Sequence, residues 1–265
     1  MTTAEFFATH AVFSLDEAVK ALNPPGGRKG TLERLKHHTA TGRLTPVTRG
    51  VYAVVPSGTP ADRFEPDPFL VAAAARPDAV FSYHAALELL GVAHSAFNET
   101  TVFTTARRRP LTVGTRTIRF LADPDALRDP DVRTLATRQV ERMGRLVRTT
   151  GPERTLVEGL RRPGLAGGAE ELVVSASGFP ILDLKLLEQV LARYGTASLW
   201  AAVGWFLERF QSTFSVPDAF LTRCERRRPK SPHYLERGRR GGVLAERWNL
   251  IVPEAVARLG APDAG

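Results

Sequence analysis

Apolar and polar positions along this chain follow two rhythms, and the shift between them marks its organisation. Thr2–Ala8 reads as a short helix. Leu15, Ala18, Val19 and Leu22 then recur at three- and four-residue spacing, the mark of one apolar helix face. Ser14-Leu15-Asp16-Glu17 opens that helix as a capping box, in which hydroxyl and carboxylate satisfy free N–H groups reciprocally. Asn23-Pro24-Pro25-Gly26-Gly27 stops it, because proline removes a donor and glycine frees the backbone. Thr31 is placed as the cap of a third helix, Leu32 to about Ala40, with Gly42 as its end. Arg43–Val47 and Val51–Val55 are β-type runs joined by the turn Thr48-Arg49-Gly50. Helix, helix, turn, helix, hairpin is the order of a winged helix-turn-helix.

Prolines at 56, 60, 66 and 68 then interrupt the chain. They predict a linker over 57–68 between a DNA-binding unit, 1–56, and a larger domain, 69–265. That domain starts with helices over Asp67–Ala75 and Ser82–Leu90. Runs rich in Thr, Val, Ile and Phe over Thr100–Thr105 and Thr115–Leu121 predict strands, as do Gln139–Arg142 and Leu146–Thr149. From Pro152 the period turns helical, over Pro152–Leu160, Gly168–Ala176, Asp183–Arg193 and Ser198–Phe210. The predicted class is α+β: an N-terminal winged helix-turn-helix, then a larger mixed α/β domain with a helical C-terminal half.

Composition narrows the picture. At 43% hydrophobic and 24% charged, the 265 residues are not a disordered or collagen-like chain. No apolar run approaches the ~18 residues of a membrane span, and Met1–His10 lacks the basic and apolar regions of a secretory leader. The one cysteine, Cys224, excludes an intrachain disulfide and a multi-cysteine zinc site. These features predict a cytoplasmic protein with no membrane partner. The net charge of +8 favours polyanions.

Charge placement gives candidate sites. On the third helix Leu32, Leu35 and Thr39 face one way, and Glu33, Arg34, His37 and Thr41 the other, with Lys36 and His38 on the flanks. In a helix-turn-helix the outward face enters the major groove, where Arg34 and His37 can read base edges. Arg28 and Lys29, read as preceding the helix, suit phosphates. Arg43 and Arg49 sit on the wing, and Thr31 and Lys36 complete the candidate DNA-binding set. A second basic surface is drawn from Arg107, Arg108 and Arg109, at the close of a predicted hairpin, and from Arg226, Arg227, Arg228 and Lys230 within a basic segment, Arg223 to Arg247. It binds nucleic acid or an acidic partner, or is a solubilising surface; the sequence leaves these open.

Catalytic signatures are poor. There is no G-x-S-x-G and no G-x-x-x-x-G-K-[ST], and no histidine pair has metal-ligand spacing. His84, near a helix start, reads as a hydrogen-bonded structural residue. Asp183-Leu184-Lys185 after Ile181-Leu182 has the acidic-x-Lys form of metal-dependent nucleases. Asp183, however, stands where a helix N-cap belongs, with Lys185 on the exposed side. No catalytic residue, metal or cofactor is assigned, and the chain is expected not to be an enzyme.

Three segments resemble the AbiEi-family antitoxins of type IV toxin–antitoxin systems. Arg43-Leu44-Thr45-Pro46-Val47-Thr48-Arg49-Gly50-Val51-Tyr52 is similar to that family's wing, and Phe81–Gly91 to its "S-x-x-S-A-L-x-L-x-G" helix. Val147–Glu158 is similar to its "V-T-x-P-E-R-T-L-V-D" segment, with Glu158 where the family has Asp and His84 near a usual Ser position. The resemblance implies a phage-defence regulator whose N-terminal domain binds the inverted-repeat operator of its own operon on double-stranded DNA and represses it. It further implies a C-terminal domain needed to neutralise a nucleotidyltransferase-type toxin, functionally rather than through a stable complex. The rival readings are a plain transcription regulator with a ligand-sensing or oligomerising C-terminal domain, and a DNA-targeted metal-dependent nuclease.

Overall fold

The computed structural model describes every residue except 107, 237–240 and 261–265. The chain is α+β, as its pattern predicts. It divides into two compact units. The first comprises 1–80, 98–122 and 139–148, and the second 81–97, 123–138 and 149–265.

The first unit opens with α1 (Thr3–Thr9), β1 (Val12–Ser14), α2 (Leu15–Leu22), α3 (Gly27–Ala40), β2 (Leu44–Thr48) and β3 (Val51–Val54). The capping box forms: Glu17 N–H donates to Ser14 Oγ at 3.2 Å and Ser14 N–H to Glu17 Oε2 at 2.7 Å. The strands pair antiparallel in the order β1-β3-β2. The sequence pattern does not predict β1, because three residues are too few to show a period of two.

Strand alternation splits this small sheet's apolar residues between two faces. On one, Phe13 stacks near Tyr52 at 5.9 Å and joins Phe6, Phe7, Leu15, Ala18, Leu22, Leu35 and Leu44 in a core. On the other, Val12 pairs with Ala53, and both are buried together with Val51 and Val55. Helix α4 (Pro68–Ala75), capped by Asp67, packs against β1 and β3. Arg145 also reaches back, donating to Glu17 Oε1 at 2.7 Å and to the Val12 carbonyl at 3.3 Å. The chain therefore does not divide at the predicted boundaries, 1–56, 57–68 and 69–265. A sheet apolar on both faces needs α4 as a second cover, and the first unit extends past the prolines to take it in.

β4 (Val80–Phe81), α5 (His84–Leu89), β5 (Glu99–Thr104), β6 (Leu111–Val113), β7 (Arg116–Ala122), β8 (Thr137–Arg142) and β9 (Arg145–Thr150) follow. They supply a six-stranded sheet ordered β6-β7-β5-β4-β9-β8. β5 and β7 are parallel, not the two arms of the predicted hairpin; the short β6 lies between them in sequence and forms the antiparallel hairpin with β7. Alternation cannot reveal strand direction, which explains the difference.

The rest of the second unit is mainly helical: α6 (Pro152–Arg161), α7 (Ala169–Ser177), α8 (Leu184–Tyr194), α9 (Ala197–Arg209) and α10 (Asp218–Arg226). A small sheet of β10 (His233–Tyr234), β11 (Val243–Ala245) and β12 (Leu250–Val252), then α11 (Glu254–Ala257), complete it. No described helix is long and apolar enough to cross a membrane.

Candidate nucleic-acid interface

The turn after α2 sets the position of α3. Asn23 ends α2 in the left-handed region, at φ 35°, with its N–H on the Val19 carbonyl. Gly30 allows the turn and helix to touch: a Cβ there would lie 2.5 Å from the Pro25 carbonyl oxygen. The helix thus starts at Gly27 and not at Leu32, since packing of the Pro24-Pro25 turn outweighs the low helix propensity of Gly27 and Gly30.

This earlier start corrects two assignments. Thr31 is not a cap but lies within the helix, fully buried, its hydroxyl donating to the Gly27 carbonyl at 3.0 Å. It takes no part in any surface that could meet DNA. Arg28 and Lys29 do not precede the helix; they form its first turn, where the macrodipole is positive.

The two faces of α3 differ as predicted. Leu35 is buried in the aromatic core, while Lys29, Glu33, Arg34, Lys36 and His37 are exposed. Arg28 is paired with Asp16, and Lys36 with Glu33 at 3.0 Å. Both pairs are exposed and therefore weak, so a phosphate can exchange for either carboxylate. Lys29, Arg34 and Arg49 belong to no ion pair among the described residues. His38 is half-buried beside Phe7, with ring centroids 5.0 Å apart. Burial first, then the Arg43 and His37 charges, hold it below the ordinary histidine range, so it is neutral at pH 7. Arg43 is exposed and lies 5.4 Å over the Phe7 ring, and Arg49 is exposed at the β2–β3 turn. α3 and the hairpin thus present Arg28, Lys29, Arg34, Lys36, His37, Arg43 and Arg49, of which Arg28 and Lys36 are held only by the two weak pairs.

The residues of the second basic surface are divided between the two units. Arg107 lies outside the described residues, as do the arginines at 237, 239 and 240. Arg108 turns inward, donating to the Ala75 carbonyl at 3.0 Å with its guanidinium over Phe120, while Arg109 is exposed. Arg228 is held by the Arg247 carbonyl and Glu225, and Arg227 lies 4.6 Å over Trp200. Arg247 pairs with Glu208 and Glu225. Arg226 and Lys230 are exposed. Among the described cations of the basic segment, Arg223, Arg227, Arg228 and Arg247 contact other residues of their own unit.

Residues weighed for chemistry hold structure. Asp183 caps α8, accepting from the N–H groups of Lys185 and Leu186 at 2.9 and 3.0 Å. His84 is buried, with Nδ1 3.1 Å from Glu88 and Nε2 3.4 Å from Glu171. Among the described residues no group of three or more His, Cys, Asp or Glu side chains is placed to hold a metal ion. In the Pro152–Glu158 segment, Glu153 accepts from Asp183 N–H at 2.8 Å, and Thr155 hydrogen-bonds Thr150 at 2.7 Å. Arg154 donates to Glu158 at 2.7 Å with both side chains fully buried.

Fold and surface together define a mixed α+β protein with a basic N-terminal helix and hairpin. No protein-family model matches the chain, and no curated protein sequence does. Among solved structures it is similar to the RV2827C protein from Mycobacterium tuberculosis, at 18% identity and a TM-score of 0.60, over 93% of this chain and 87% of that one. At that identity the likeness speaks for the fold.

Proposed function

We propose that this chain is a sequence-specific DNA-binding autorepressor and the antitoxin of an AbiEi-type toxin–antitoxin operon, with a winged helix-turn-helix as its reading head. The observation that carries the DNA-binding part is α3, buried through Leu35 and exposing Lys29, Arg34 and His37, with Arg49 at the adjoining hairpin turn. Arg34 and His37 read base edges, and Arg28, Lys29 and Arg49 grip phosphates. The antitoxin part rests on the resemblance of the three segments, and no residue is given a catalytic role.

The test is a salt titration of binding to DNA from upstream of the chain's own gene. The Arg28→Gln/Lys29→Gln/Arg49→Gln variant should flatten the log–log slope by about 0.9 for each phosphate it no longer neutralises. Arg34→Ala should keep the slope nearer wild type and cost ~1–3 kcal/mol of discrimination at one base position. Thr31→Val, changed inside the core, should alter neither. An unchanged slope in the triple variant would remove α3 and the hairpin from the interface. The antitoxin part is tested by rescue of cells expressing the neighbouring toxin gene; absence of rescue by the intact chain would refute it.

A further inference from the structure

Within the second unit, a cavity of about 720 Å³ opens between the C-terminal end of α6 and the N-terminal end of α9. Its polar lining includes Arg161, Arg162, Thr196, Ser198, Tyr234 and Glu236. Leu160, Leu199, Ala202 and Leu250 supply an apolar wall. The size and the mixture of apolar wall with a few polar groups are those of a small-molecule site.

Arg161 is anchored from below. The Arg161 guanidinium lies 5.5 Å over the Tyr194 ring, and Arg162 is the residue that ends α6. Tyr194 in turn donates to Oε1 of the buried Glu158 at 2.7 Å. Tyr83 is fully buried at φ 56° and ψ −130°, a backbone conformation that a residue other than glycine adopts only when its surroundings force it. It sits in the turn from β4 into α5. Strain of this kind concentrates where a side chain must be held in place.

The ligand class follows from the groups assembled. Two neighbouring guanidiniums form charge-assisted bonds to phosphate oxygens. The 13-residue helix α9 begins at the same cavity without a side-chain cap; the Thr196 hydroxyl donates instead to the Tyr194 carbonyl at 3.0 Å. An uncapped helix start favours the same anion. Tyr234 is 49% exposed, a large ring available for stacking. We propose that this cavity binds a nucleoside triphosphate, with Arg161, Arg162 and the first turn of α9 on the phosphates and Tyr234 on the base. The site is independent of the DNA-binding reading, since no residue of the first unit takes part.

Calorimetric titration of the full chain with ATP and with GTP, each with Mg²⁺, tests this, with inorganic tripolyphosphate as the base-free probe. At least one nucleotide should bind saturably with one site per chain, more tightly than tripolyphosphate. Arg161→Gln and Arg162→Gln should each weaken it roughly tenfold or more. Tyr234→Leu should weaken nucleotide binding and spare tripolyphosphate. Ser198→Asp should abolish binding by both while leaving the melting temperature intact, because an acid suits the first turn of a helix. Arg226→Gln, an exposed arginine that does not line the cavity, should change nothing. The proposal is overturned by an absence of saturable binding up to about 1 mM nucleotide in folded protein. It is equally overturned if Arg226→Gln weakens binding as much as Arg161→Gln, or if tripolyphosphate binds as tightly as the better-bound nucleotide.

Discussion

Replacing Glu158 by leucine tests how a buried charge in α6 is held. Arg154 donates to Glu158 at 2.7 Å and to the carbonyls of Arg133 and Leu135 at 2.8 and 3.3 Å, with no side-chain exposure at either ionised group. Breaking a buried ion pair from one side costs ~3–5 kcal/mol, because the remaining charge stays desolvated. Glu158→Leu should fall near the lower end, since the guanidinium keeps its two carbonyls. Arg154→Met leaves a buried carboxylate whose pKa burial already raises, with the Tyr194 hydroxyl as a donor. A carboxyl with a raised folded pKa binds protons more tightly when folded. The Arg154→Met variant should therefore be most stable below the unfolded value of about 4.3 and lose stability as pH rises through its folded pKa. The double variant should cost less than the sum of the singles by ~0.5–3 kcal/mol. All three tryptophans, Trp200, Trp205 and Trp248, lie in the second unit, so urea unfolding followed by their fluorescence reports on this unit alone. Single variants within about 1 kcal/mol of wild type, or an Arg154→Met variant no better at pH 5 than at pH 8, would refute the reasoning.

Other expectations are as direct. Asp78 takes two bonds from Arg76 at 2.8 Å and two from Thr105 at 2.7 Å, and these outweigh burial to hold its carboxyl well below the usual range. Its stabilising effect is present above the unfolded pKa of about 3.9 and fades as pH falls towards the folded value, so Asp78→Asn should cost ~1.5–3 kcal/mol at pH 7 by circular dichroism and progressively less in acid. Burial, with Glu188 adding to it, pushes the fully buried Cys224 thiol up to about 12. At pH 8 it should react with a thiol reagent only as fast as the second unit opens, and rapid labelling of folded protein would contradict its placement. A fragment ending at Ser57 keeps the aromatic core but bares Val12, Val51, Ala53 and Val55; it should bind an apolar dye and aggregate, whereas a soluble, cooperatively melting fragment would show that α4 is dispensable.

Most of the longer helices of this protein are legible in its sequence because they carry a local signal, whereas α10 and α11 are not predicted. Ser14 and Glu17 satisfy each other's backbone groups whatever else is present, and the period of Leu184, Leu187 and Leu191 fixes a face before any partner is known. The exposed set on α3 was legible for the same reason: Leu35 dictates which side is buried, and Arg34 and His37 must then point away. What the sequence could not show depends on distant partners. Thr31 reads as a cap from its neighbours and is a core residue only because the Pro25 turn draws α3 five residues further back, to Gly27 from Leu32. The direction of β5 against β7, and the reach of Arg145 to Glu17 and Val12, are pairings across the chain that no local period encodes. The basic segment around Arg226 reads as one patch, but tertiary packing commits Arg227, Arg228 and Arg247 to their own unit. Local sequence determined which face α2 and α3 bury and where α2 is capped, because those free energies are settled within a few residues. Tertiary structure alone decided where the units divide and which charges remain free, because those depend on which surfaces meet.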